Sequence, residues 1–303
     1  MSGTSTGQHL TIGFVGLGNM GRPMAHNLHS AGFALVVRDS APAAEERFAA
    51  AHPGVTVAGS PDAFSAADIV VTMLPDGTVV QDALLRWDGG IGRALRAGTL
   101  VVEMSSSDPS DTLRLAGELE PLRVRVVDAP VSGGVPGAVA GELAIMAGGA
   151  PDDIARAQDV LRVLGDPARQ FVTGGLGSGH AMKALNNVVA AATHCATAEA
   201  LAAGKRFGLD PQVMIDIINA STGRSFVSQT FGAQVLTGRY GTGFALGLLA
   251  KDVHIAASVA AAAGIDAPMV ALADERWAKA LGELGPAADH TRAHQAWWPE
   301  TGS

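Results

Sequence analysis

The chain has 303 residues, 48% of them hydrophobic and only 17% charged, which excludes a disordered, solvating polymer and implies a buried core. Its net charge of −8, with no Lys/Arg block longer than two residues, argues against a nucleic-acid-binding face and leaves a small molecule as the expected partner. A single cysteine, Cys195, rules out an internal disulfide or a Cys-rich metal site and fits a reducing, cytoplasmic setting, and no apolar run of about 18 residues is present to span a membrane.

In chain order, Met1 to His9 are rich in Ser, Thr and Gly without a basic or an apolar segment, and read as a flexible tail. From 10 to 174, short apolar runs (12–15, 34–37, 69–73, 100–104, 124–127 and 143–147) alternate with helical stretches. Continuous apolar strands separated by helices predict a parallel sheet covered on both faces, a Rossmann-type doubly wound α/β domain. Four glycines within 173–179 mark its end. A long helix over 180–207 follows, with Ser178 or Gly179 as its cap, and 175–303 are predicted to be all-helical. On that helix Met182, Leu185, Val188 and Val189 form the expected apolar sector, and Cys195 reads as a small core residue.

The run Gly16-Leu17-Gly18-Asn19-Met20-Gly21 follows an apolar strand and opens a helix-spaced segment, the order a dinucleotide-binding turn requires. Gly16 permits the tight turn, Gly18 lets backbone approach a pyrophosphate, and Gly21 lets helix lie close on strand, with the helix N-terminus facing the anion. The second strand ends in Arg38-Asp39, 23 positions after Gly16. A carboxylate there accepts hydrogen bonds from ribose hydroxyls and repels a 2′-phosphate, so Asp39 favours NAD over NADP, although Arg38 could turn toward such a phosphate. Two further strand ends, Met73-Leu74-Pro75-Asp76 and Glu103-Met104-Ser105-Ser106-Ser107, lie where open α/β sheets bind ligands, and their polar residues serve equally well as helix caps.

In Asp128-Ala129-Pro130-Val131-Ser132-Gly133-Gly134, a hydroxyl followed by two glycines exposes successive backbone N–H groups, a concavity suited to a carboxylate. Farther along, Gly177-Ser178-Gly179-His180-Ala181-Met182-Lys183-Ala184-Leu185-Asn186-Asn187 sets Lys183 and Asn187 four apart on one helix face. A lysine so placed can exchange a proton with a substrate hydroxyl, but taken alone it reads more readily as a solvated or ion-paired residue. His180 reads as a packing or capping residue, and Lys251-Asp252 as a surface pair.

Together with Asn219 to Ser225 and Phe244 to Val253, these segments occur in the order and spacing of the β-hydroxyacid dehydrogenases. The chain resembles that family over nearly its whole length, most closely the 3-hydroxyisobutyrate dehydrogenase branch. The resemblance implies hydride transfer between a short 3-hydroxy acid, 3-hydroxyisobutyrate first, and NAD, with no metal. It implies that Gly16, Leu17, Gly18, Asn19, Met20 and Gly21 bind the dinucleotide, that Asp39 selects it, and that Leu74, Pro75, Ser106 (threonine in the family) and Lys251 also contact it. Ser132, Gly133 and Gly134 would hold the substrate carboxylate, Lys183 would be the general acid/base, and Asn187 would hydrogen-bond substrate. Phe226 stands where the branch carries tryptophan. A homodimer or homotetramer is implied as well. Three other readings are a semialdehyde reductase of the tartronate type, an imine reductase, against which Lys183 and Asp39 speak, and a non-catalytic NAD-binding sensor, against which Lys183 and Asn187 speak.

Overall fold

The computed structural model describes residues 10–241 and 243–297; the expected N-terminal tail, 1–9, lies outside them. The chain divides into two compact units, 1–183 and 184–303. The first holds strands β1 (Thr11–Val15), β2 (Ala34–Arg38), β3 (Thr56–Val57), β4 (Ile69–Thr72), β5 (Leu100–Glu103), β6 (Arg125–Asp128), β7 (Val131–Ser132), β8 (Leu143–Gly148) and β9 (Gly165–Gly174). Between them run helices α1 (Gly21–Ser30), α2 (Pro42–Ala51), α3 (Gly77–Gln81), α4 (Ile91–Ala94), α5 (Pro109–Leu119), α6 (Gly134–Ala140) and α7 (Pro151–Leu164).

The sheet order is β3-β2-β1-β4-β5-β6-β8-β7, with β9 paired to β8. Strands β1 to β6 run parallel, as the apolar runs predict, while β8 runs antiparallel to both β6 and β7. β4 and β5 are buried at every position. Side chains alternate between two cores, one on each face of the sheet: Ile12, Phe14, Val71 and Val102 face one, and Val15, Val70 and Val101 face the other. The doubly wound expectation therefore holds, with an antiparallel edge added. Strands β3, β7 and β9 carry no apolar run for sequence periodicity to detect. β9 is mostly exposed and contains Pro167 and Arg169, as an edge strand allows.

Helix α8 (Ser178–Phe207), 30 residues long, has its first six residues in the first unit and the rest in the second, which also holds α9 (Pro211–Ala220), α10 (Phe226–Thr237), α11 (Leu246–Ala262), α12 (Pro268–Leu284) and α13 (His294–Trp297). The buried stripe of α8 is Ala184, Val188, Ala191 and Ala198, packed in one core with Leu249, Val253 and Ala256 of α11 and Trp277 of α12. This corrects the expected apolar sector: Val188 is buried, but Met182, Leu185 and Val189 are exposed. Alanines at helical spacing let neighbouring helices approach closely, and with Val188 they turn this face of α8 to the core. Among the described residues no helix is long and apolar enough to cross a membrane.

His194 of α8 is buried among Trp277, Trp297 and His294. Burial, then the nearby His290 and His294, pushes its imidazole down to about 3. An unfolded histidine binds its proton near 6.5, whereas the native one stays neutral until far lower pH, so native stability declines as pH drops below 6.5. At about 1.4 kcal/mol per pH unit, this group costs about 2 kcal/mol by pH 5. Urea unfolding should show that His194→Phe loses about 2 kcal/mol less than the parent between pH 7 and pH 5.

Candidate active site

The glycine turn sits between β1 and α1. Gly16 has φ +104°, and a Cβ on it would overlap the Met73 carbonyl; one on Gly21 would overlap the Gly16 carbonyl. Both positions are closed to any side chain by neighbouring backbone. Gly18 is different: it is exposed, and a Cβ there would meet nothing within 4 Å. The space above it is open, at the start of α1, as close backbone approach by a ligand would require. Leu17 and Met20 send their side chains to the core and offer the turn only backbone, while Asn19 is exposed.

Asp39 follows β2 and reaches this turn directly, Oδ2 accepting the Leu17 N–H at 2.6 Å and Oδ1 the Ala41 N–H at 2.8 Å. Arg38 is held elsewhere. Its guanidinium pairs with the buried Glu45 of α2 at 2.7 Å and lies over the Trp87 ring, 4.3 Å from the centroid. Glu45 also accepts the Asp39 N–H at 2.8 Å, so one carboxylate orients both residues. Sequence reasoning missed Glu45, whose only signal is an acidic residue in the first turn of α2.

At the ends of β4 and β5 the Leu74 N–H donates to Ser105 Oγ at 2.9 Å, and the Ser105 N–H donates to Glu103 Oε1 at 2.8 Å. The hydroxyl that ties these two loops together is thus Ser105; Ser106 beside it is half-buried, and Pro75 is exposed. Asp76 caps α3 through the Val79 N–H. After β7, Ser132 is half-buried, and Gly133 and Gly134 take φ +135° and +60°. A side chain rarely adopts such φ values, so this corner requires glycine at both positions.

The start of α8 corrects the expected cap. Ser178 Oγ pairs with Thr173 Oγ1, while the N–H groups of Gly177 and His180 donate to the two oxygens of Asp128, at 2.7 and 2.8 Å. Asp128, the last residue of β6, caps the helix across the fold. Gly179 allows it, because a Cβ there would overlap the Met146 carbonyl and press on Asp128. His180 is fully buried, with Glu103 Oε2 2.6 Å from Nε2 and Asp128 Oδ2 3.8 Å from Nδ1. Burial pushes His180 down, but the Glu103 carboxylate, then Asp128, raise it above the ordinary imidazole value. Burial would raise Glu103 too, yet the charge and contact of His180, then Ser105, hold its carboxyl below the usual range. At Asp128 burial prevails over His180 and the two N–H donors, and its carboxyl is raised. Lys183 follows His180 by one helical turn and is half-buried.

In the second unit Asn187, buried, donates from Nδ2 to Asp252 Oδ2 at 2.6 Å, and Lys251 Nζ lies 3.2 Å from Asp252 Oδ1. Asp252 is buried, which overturns the surface-pair reading of Lys251-Asp252: the carboxylate fixes the Asn187 amide and restrains Lys251. Phe226 is 76% exposed. Burial pushes the Cys195 thiol up to about 11, an inert position.

Residues 11–175 match the family described as the NAD binding domain of 6-phosphogluconate dehydrogenase, and 177–297 the one described as NAD-binding of NADP-dependent 3-hydroxyisobutyrate dehydrogenase. The chain is 39% identical over 255 residues to human mitochondrial 3-hydroxyisobutyrate dehydrogenase, covering 81% of this chain and 74% of the relative. It is 36% identical over 269 residues to 2-(hydroxymethyl)glutarate dehydrogenase of Eubacterium barkeri, covering 88% and 87%. The solved structure of Mycobacterium tuberculosis 3-hydroxyisobutyrate dehydrogenase with L-serine matches with TM-score 0.85 and 34% identity, over 95% of this chain and 99% of that one.

The open space at Gly18 gives a direct test of the expected pyrophosphate approach. Gly18→Ala should leave stability within about 0.5 kcal/mol of the parent. A fluorescence titration should show its NADH affinity reduced about tenfold or more.

Proposed function

The chain belongs to the β-hydroxyacid dehydrogenase family, an NAD(P)-binding group of hydroxyacid oxidoreductases, and from that premise we propose that it oxidises 3-hydroxy acids bearing a primary alcohol, 3-hydroxyisobutyrate first among them, with NAD. The observation that carries this reading is the presence of an open glycine turn, a corner of two positive-φ glycines after β7 and a half-buried lysine, Lys183, within one chain. The substrates named for two relatives, and the L-serine held by a third, share one skeleton: a hydroxymethyl group on the carbon that carries a carboxylate. Backbone N–H groups at Ser132, Gly133 and Gly134 suit that carboxylate.

NAD, when bound, supplies the hydride acceptor. Gly16, Gly18 and Gly21 would hold its pyrophosphate, Asp39 its adenosine ribose, and Leu74, Pro75, Ser106 and Lys251 would complete its contacts. As the carbinol carbon gives up its hydride, Lys183 Nζ takes the hydroxyl proton and an aldehyde results; in reverse Lys183 returns that proton to the aldehyde oxygen. The Asn187 amide, fixed by Asp252, would orient the reacting oxygen. Two features support NAD over NADP: Asp39 is an acid just after β2, and a carboxylate there would repel a 2′-phosphate, while Arg38 is engaged by Glu45 and Trp87. A homodimer or homotetramer in the cytoplasm belongs to the same reading. The oligomer is supported by the exposed Val189, Val213, Ile217 and Phe226, and the reducing compartment by the lone cysteine.

The test is a spectrophotometric screen of 3-hydroxyisobutyrate, 2-(hydroxymethyl)glutarate, serine, glycerate and threonate with NAD and NADP. Reduction of NAD by the hydroxymethyl acids is expected; binding of NADH without turnover of any of these acids, or of the matching semialdehydes, overturns the reading in favour of a non-catalytic sensor. Lys183→Ala should lower kcat at least about 100-fold while NADH affinity stays within about threefold. Asp39→Ala should shift the kcat/KM ratio toward NADP by about tenfold or more, measured with both cofactors at a fixed acid concentration.

A further inference from the structure

Three ionisable side chains, Glu103, Asp128 and His180, are buried together at the carboxyl ends of β5 and β6, and the chemistry above uses none of them. Removing such charges from water is costly, and an apolar cluster of the same volume would often be at least as stable, so stability alone is a weak reason for them. Their connections supply a different one. His180 Nδ1 donates to Thr112 Oγ1 at 2.7 Å, and the Thr112 hydroxyl donates to the Asp108 carbonyl at 3.3 Å. Nε2 donates to the Ser105 carbonyl at 3.2 Å with Glu103 at its side, and the Glu103 Oε1 atom accepts from Ser105 N–H and, at 3.4 Å, from Thr72 Oγ1. Ser105 Oγ in turn accepts the Leu74 N–H. One imidazole therefore ties the first turn of α8 to the loops after β4 and β5 and to the start of α5, three positions before Lys183.

We infer that His180, locked by Glu103 and Thr112, is a positioning residue: it fixes the height and rotation of the first turn of α8 and thereby sets Lys183 against the loops that carry Leu74 and Ser106. The inference rests on Lys183 being the proton carrier. A rigid ion pair suits the task better than apolar packing, because two donors on a planar ring fix both the tilt and the depth of the helix, where a methyl-lined contact would let it slide. An error of about 1 Å in the placing of a reacting group costs as much as 100-fold in rate, so a residue that touches no reactant can still govern kcat.

The experiment compares His180→Ala, Thr112→Val and Lys183→Ala in the full-length protein. Rates are divided by the number of NADH-binding sites, so that unfolded molecules do not count, and measured with the hydroxymethyl acid turned over fastest in the screen and with the same acid deuterated at its carbinol carbon. His180→Ala should lower kcat per site about tenfold or more, with KM within about threefold, and raise the deuterium isotope effect on kcat as hydride transfer becomes limiting. Thr112→Val keeps the volume and removes the hydroxyl that partners Nδ1, together with its bond to the Asp108 carbonyl; it should lower kcat per site about threefold with the same rise in isotope effect, and it decides the matter if His180→Ala does not fold. Parental kcat per site and parental isotope effect in the folded variants overturn the positioning role and leave a merely structural cluster. Parental kcat in Lys183→Ala overturns the assignment of Lys183 itself, whichever way His180 behaves.

Discussion

The seating of the first turn of α8 against the carboxyl edge of the sheet is the constraint on which the placing of Lys183 depends. Two backbone N–H groups, those of Gly177 and His180, end on the buried Asp128 carboxylate, and Gly179 leaves no room between the helix and the Met146 carbonyl. A helix N-terminus carries unpaired donors and a partial positive charge, so a carboxylate at the end of a strand answers both needs at once. The same close approach brings His180 onto Glu103, and that pair compensates two charges that neither water nor the surrounding core would stabilise.

From that seat follows a division of labour among the strand ends. β1 and β2 supply the turn and its carboxylate, Asp39; β4 and β5 supply two loops joined through Ser105; β6 supplies the anchor of α8; and the Gly133-Gly134 corner follows β7. Every one of these lies at a carboxyl end of the sheet or in the connection just beyond it, which is where an open α/β sheet offers backbone donors and free loop geometry to a ligand. The helical unit adds its own buried carboxylate, Asp252, which does for Asn187 and Lys251 what Glu45 does for Arg38 and Asp39. In each case a buried acid orients polar groups that the proposed chemistry or its selectivity depends on.

Short-range physics was legible in the chain itself. Glycine at positions 16 and 21 is demanded by backbone that would collide with any Cβ, and such a demand leaves its mark in residue type. The parallel strands show as unbroken apolar runs because both faces are covered, and α8 shows as a long segment of helix formers. The edge strand β9 and the short β3 and β7 left no such mark, since their pairing rests on backbone hydrogen bonds and not on apolar side chains.

The tertiary structure alone decided which polar residues became partners. His180 meets Ser105 across 75 positions of sequence and Asp128 across 52, and no local periodicity encodes distances of that kind. Ser178 carries a good local capping side chain, yet a carboxylate from another strand took the role, because a buried helix end is satisfied by whatever acceptor the sheet brings to it. In the same way Lys251-Asp252 looks like a solvated pair in one dimension and is a buried anchor in three. Residue type and spacing thus determined the elements, the glycine turn and the family resemblance; burial, a property of the assembled fold, determined which charges must be paired and with whom.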